Sequence, residues 1–104
     1  ELAAGWFFRA AEQGYADAQF NLGLMYANGE GVEQDMSRAV ELFKKAAEQG
    51  HVDAQNNLGA MYFTGDGVTR DEKKAIEWFE KAAAQGNEDA QANLDAIRAA
   101  GKSR

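Results

Sequence analysis

A chain of 104 residues suits one domain with little apolar core to spare. It contains no cysteine, which excludes disulfides and thiolate metal sites as sources of stability. Lys and Arg total 11 against 17 Asp and Glu, and the formal charge of −6 argues against a nucleic-acid binder or a polybasic membrane contact. No apolar run approaches the ~20 residues of a membrane-spanning helix.

Residues 17–50 laid over residues 53–86 share the frame D-A-Q-x-N-L-G-x-M-Y, then G-x-G-V, and finally K-A-A-x-Q-G. About 20 positions are identical within a period of about 36. A period of that length holding two amphipathic stretches predicts a stack of helical hairpins, because one hairpin cannot cover its own apolar face. The expected fold is all-α, with six helices in a half-repeat at 1–14, repeats at 15–50 and 51–86, and a partial capping repeat at 87–104. The chain starts at Glu1 rather than Met and inside a repeat, as a piece of a longer protein would.

Taken in order, residues 2–13 match the second half of each later repeat: Ala3, Phe7, Ala10, Ala11 and Gly14 answer to Ala39, Phe43, Ala46, Ala47 and Gly50. Gly5 stands inside this helix, where glycine costs about 1 kcal/mol relative to alanine. Leu2, Trp6, Phe7 and Phe8 crowd a helix with no partner before it, so apolar surface is expected there, and with it a possible homodimer contact. Residues 15–27 form the first helix of repeat one, burying Ala18, Leu22, Met25 and Tyr26 at helical spacing. Gly23 and Gly59 follow a core leucine, which predicts close approach of the neighbouring helix.

The Gly29-Glu-Gly-Val32 and Gly65-Asp-Gly-Val68 stretches break the helical period. No strand precedes them and no Gly-Lys-Ser/Thr follows, so a phosphate loop is not expected. Asp35 and Asp71 then stand as N-caps of second helices at 36–49 and 72–85. These are expected to bury Ala39, Leu42, Phe43, Ala46 and Ala47, and Ala75, Trp78, Phe79, Ala82 and Ala83, and to end at Gly50 and Gly86 as left-handed caps. Residues 87–100 begin a third copy, but Asp95 replaces its glycine and Arg98 its tyrosine, as at the polar end of a solenoid. Residues 101–104 read as a frayed tail.

The frame Ala-x-x-x-Leu-Gly-x-Met-Tyr-x-x-Gly-x-Gly-Val-x-x-Asp-x-x-x-Ala-x-x-x-Phe-x-x-Ala-Ala-x-x-Gly, at 18–50 and 54–86, resembles the Sel-one-like repeat (SLR), a relative of the tetratricopeptide repeat. The resemblance implies a right-handed α-α superhelix, or solenoid, of antiparallel hairpins whose concave face is lined by the first helix of each repeat. It also implies a bacterial adaptor that binds other proteins rather than an enzyme. Some members are cysteine-rich and disulfide-bonded, which this chain is not.

Positions shared by both repeats are explained by folding, so specificity is sought where they differ. With Leu22 and Leu58 inward, helical geometry turns Phe20, Asn21, Leu24 and Asn28, and Asn56, Asn57 and Phe63, toward the groove. Phe20, Leu24 and Phe63 are apolar where the other copy carries Asn56, Ala60 and Ala27, and are candidate anchors for a peptide or helix. Their alternative role is packing between adjacent first helices. Asn21, Asn57 and Asn93 recur at one point and could form a ladder. Related tetratricopeptide proteins hold a peptide there, but with groove Lys or Arg that residues 15–28 and 51–64 lack, so a neutral or basic segment fits better than an acidic one.

Catalysis is disfavoured. The single histidine, His51, stands at a helix start where Tyr15 and Asn87 stand in the other copies, which suits a cap. Ser37 and Ser103 have no histidine nearby in sequence, and no metal-ligand or EF-hand pattern occurs. The expected function is a non-enzymatic scaffold without cofactor; the alternative is a structural spacer or homo-oligomerisation segment.

Overall fold

The computed structural model describes residues 2–102, and the side chains of residues 5–101. Leu2 and Ala3, expected in the first helix's apolar face, and Ser103 therefore have side chains outside the described residues. Six helices follow in order: α1 (Leu2–Glu12), α2 (Ala16–Asn28), α3 (Met36–Glu48), α4 (Val52–Thr64), α5 (Glu72–Ala84) and α6 (Glu88–Lys102). Each packs on its neighbours in sequence, giving an elongated right-handed solenoid of 48 × 25 × 17 Å. No strand occurs among the described residues. Gly101 and Lys102 continue α6 rather than fraying: Gly101 has no left-handed φ to break the ladder.

Within a hairpin, the glycine that follows the core leucine sets the distance. A Cβ on Gly59 would lie 2.8 Å from the Phe79 ring and 3.2 Å from the Ala75 carbonyl oxygen. At Gly23 the same atom would lie 2.8 Å from Phe43. Phe43 and Phe79 each seat their ring over a glycine and are 2 % exposed. The loops are tied to the helix they leave. Gly29 and Gly65 take left-handed φ of 71° and 80°, and Asp35 and Asp71 donate their backbone N–H to the carbonyls of Tyr26 and Tyr62 at 2.9 and 2.8 Å. The same aspartates cap α3 and α5, accepting from the N–H of Arg38 and Lys74, each at 3.1 Å.

Between hairpins there is no slack. Gly50, at φ 92°, donates to the Ala47 carbonyl, and His51 donates to Ala46, which closes the carboxyl end of α3. His51 is at once the N-cap of α4, its Nδ1 accepting from the Ala54 N–H at 3.1 Å. The junction at Gly86 and Asn87 repeats this, with Asn87 Oδ1 accepting from Ala90 at 2.7 Å.

Candidate functional site

The first helices α2, α4 and α6 form one layer of the stack, and α1, α3 and α5 the other. Basic residues are unevenly placed among the helices. The α2 and α4 helices carry one acid each, Asp17 and Asp53, and no base, whereas Lys44, Lys45, Lys73, Lys74 and Lys81 all lie on α3 and α5. On the outer layer, Arg38 donates to the Tyr26 hydroxyl at 3.4 Å, and this bond holds its guanidinium above even its ordinary basic range.

The predicted groove residues divide into three groups. Phe20 and Leu24 are half-buried and packed against the central core. The Phe20 ring stacks on His51 with centroids 4.6 Å apart and lies 5.6 Å from Phe43, so it fills the seam between repeats. His51 meets it from above, with Nε2 3.0 Å from Asp17 Oδ1. Because Nδ1 is occupied as an acceptor, Nε2 carries the proton that Asp17 accepts.

Asn21 and Asn28 are satisfied locally. Asn21 donates to its own helix at the Asp17 carbonyl (2.9 Å), and exposed Asn28 to Glu30 (3.3 Å). The ladder of Asn21, Asn57 and Asn93 does not form. Asn93 donates instead to Asn56 Oδ1 at 3.3 Å.

The third group comes together. Phe63, half-buried, and Asn93 line a cleft of about 300 Å³ between α4 and α6, with Ala60 and Thr64 on one wall, Ala96, Ile97 and Ala100 on the other, and Phe79 at its base. Arg70 covers the outer face of Phe63, its guanidinium 5.4 Å from the ring centroid, and donates to the Phe63 carbonyl at 2.9 Å. Repeat one carries Leu24, half-buried against the core, at the place of Ala60. The cleft therefore exists where a leucine has become an alanine. Asn56 accepts from the cleft-lining Asn93, and Asn57, half-buried, makes no side-chain hydrogen bond among the described residues.

The glutamines are what sequence reasoning missed. Gln19 and Gln55 are each 4 % exposed. Gln55 donates to the Ala47 carbonyl of the preceding hairpin at 3.2 Å and accepts from Gln85 at 2.9 Å; Gln19 does the same with Ala11 (3.2 Å) and Gln49 (2.7 Å). The signal was present in the identity of D-A-Q and Q-G across copies. Gln91, at the equivalent place in α6, is exposed and donates to Asp95.

Among the described residues no group of His, Cys, Asp and Glu is arranged to hold a metal ion, and no helix is long and apolar enough to cross a membrane. The architecture is that of an α-helical repeat solenoid. The Sel1 repeat pattern matches residues 1–15, 16–51 and 52–87, and the chain belongs to the Sel1 repeat family.

Solved structures agree. The chain is 42 % identical to a Sel1 repeat protein from Oxalobacter formigenes, with a TM-score of 0.87 over 89 % of this chain and 38 % of that one. It is 53 % identical to c5321, a protective antigen of uropathogenic Escherichia coli with an SLR fold (TM-score 0.82, 84 % of this chain, 19 % of that one). It is 33 % identical to Helicobacter pylori cysteine rich protein B (TM-score 0.83, 88 % of this chain, 68 % of that one). Among curated proteins, DAP3-binding cell death enhancer 1 of Rattus norvegicus is 45 % identical over 38 residues, 36 % of this chain and 8 % of that protein. The chain thus spans well under two thirds of the length of several of these relatives.

Proposed function

We propose that this chain is a non-enzymatic scaffold that binds a segment of another protein in the concave groove lined by the first helix of each repeat. Sel1 repeats serve generally as protein–protein interaction scaffolds. We read the chain as a half-repeat at 1–14, repeats at 15–50 and 51–86, and a partial capping repeat at 87–104. The carrying observation is the apolar cleft beside Phe63 and Asn93, on a wall that the fold does not require to be apolar. Recognition sites in proteins take this form: an apolar recess with a few placed polar groups.

The test is recovery of partners from the source cell by the folded chain and by a Phe63→Ala, Asn93→Ala double variant. Phe20 is left alone because it packs in the seam. A binding groove predicts that a specific partner is held by the first and lost, by at least tenfold, from the second. Equal recovery by both folded proteins would favour a spacer.

A second reading is favoured by one observation. Trp6 is 65 % exposed and Phe8 42 %, and Phe7 is half-buried although its counterparts Phe43 and Phe79 are 2 % exposed. These exposed aromatic side chains of α1 suit a homodimer contact, and light scattering is expected to show mass rising with concentration; a constant monomer mass removes it.

A further inference from the structure

We infer that the cleft between α4 and α6 takes one aliphatic side chain of an extended, basic peptide segment, whose Lys or Arg meets Asp53 and Asp89. This rests on the groove reading above and specifies the partner's chemistry.

The two walls present one continuous face each. On α4, Asp53, Asn56 with Asn57, Ala60 and Phe63 follow one another at helical spacing; on α6, Asp89, Asn93 and Ala96 do the same. Each face therefore runs from an acid through amides to the apolar cleft. Seven residues of helix separate Asp53 from Ala60 and Asp89 from Ala96, a distance of about 10 Å. An extended peptide covers that distance in about three residues.

Three observations select the occupant. The cleft is lined mainly by apolar side chains, and Ala60 stands where repeat one carries leucine, so the space left at that point is the size of a branched aliphatic side chain. Asp53 and Asp89 are exposed and make no ion pair among the described residues, and α4 carries no base. The arginines adjoining the cleft are each paired with a carboxylate, Arg70 with Glu72 at 3.6 Å and Arg98 with Glu80 at 3.3 Å. The wall is thus anionic beside an apolar recess, which complements a positive segment. Asn57 and Asn93 retain amide groups for a peptide backbone, and only an extended segment has backbone groups to offer, since a helix satisfies its own.

The experiment is selection from a displayed random-peptide library on the wild-type chain, with Ala60→Leu as a parallel target. Leucine stands at the matching place in repeat one, so this substitution is compatible with the fold, and circular dichroism checks it. The expected peptides combine an aliphatic residue with Lys or Arg about three positions away. They lose at least about tenfold in affinity on Ala60→Leu, as expected for excluding one buried aliphatic side chain. They lose several-fold on Asp53→Asn, Asp89→Asn, with a flatter salt dependence.

Acidic peptides, or a set bound equally by Ala60→Leu, would overturn this inference. If such peptides still fail on the Phe63→Ala, Asn93→Ala variant, the groove reading survives it. No enrichment on the wild-type chain would overturn both.

Discussion

A Gly59→Leu chain is expected to lose more than about 3 kcal/mol of stability and to melt at least about 12 °C lower, if it folds. Helix propensity alone argues the other way, since leucine is a better helix former than glycine by nearly 1 kcal/mol. The geometry decides the sign. The first added carbon already falls 2.8 Å from the Phe79 ring, and the ring cannot retreat because Phe79 is 2 % exposed and seated in the core. Three further carbons must then enter the space between α4 and α5. That hairpin is the middle of the stack, and a solenoid holds together only through neighbours, so its loss separates the repeats on either side. Gly5→Ala is the control. A Cβ there meets nothing within 4 Å, so the substitution is expected to be neutral or mildly stabilising. An unchanged melting temperature for Gly59→Leu would refute the packing role.

Gln55→Leu is expected to cost about 2 kcal/mol, from the two hydrogen bonds of this buried side chain lost at about 1 kcal/mol each. Leucine fills similar volume and is more apolar, so a burial argument predicts a gain. Two ties are lost: the Ala47 carbonyl in the preceding hairpin keeps the Gly50 N–H but loses the Gln55 amide, and Gln85 retains only its bond to the Gly50 carbonyl at 3.2 Å. Gln91→Leu, on an exposed amide, is expected to stay within about 0.5 kcal/mol of wild type. Denaturant melts of both variants make the comparison, and equal stabilities would show that the buried glutamines are incidental. Because Gln19 and Gln55 tie each hairpin to the one before, they also fix the angle between repeats. A groove held at one curvature binds without first being ordered, which is where preorganised sites gain affinity.

The hairpins, their caps and their glycine contacts were legible because each is a local consequence repeated at a fixed interval. Asp35 and Asp71 stand three residues before the N–H groups they cap, and Gly59 lies just after Leu58 on a buried stripe, so one chain segment contains the whole argument. The groove was legible only in part. Phe20 and Phe63 are both aromatic at unshared positions, yet Phe20 is claimed by His51, a residue 31 positions later that the repeat frame does not specify. Asn93 pairs with Asn56 rather than Asn57 because the register between α4 and α6 depends on how hairpins rotate against each other, which no single helix encodes. The glutamine pairs escaped for the same reason, since residues 30 apart meet only after the stack has formed.

The most direct test of the account is to locate a bound partner by NMR, titrating a captured or selected segment into chain labelled at its methyl groups and Asn side-chain amides. The account predicts that the largest shifts fall on Ile97, Ala60 and Ala96 and on the amides of Asn57 and Asn93, while Val40 and Ile76 of the other layer stay in place. Shifts confined to α3 and α5, with those of α4 and α6 unmoved, would contradict it.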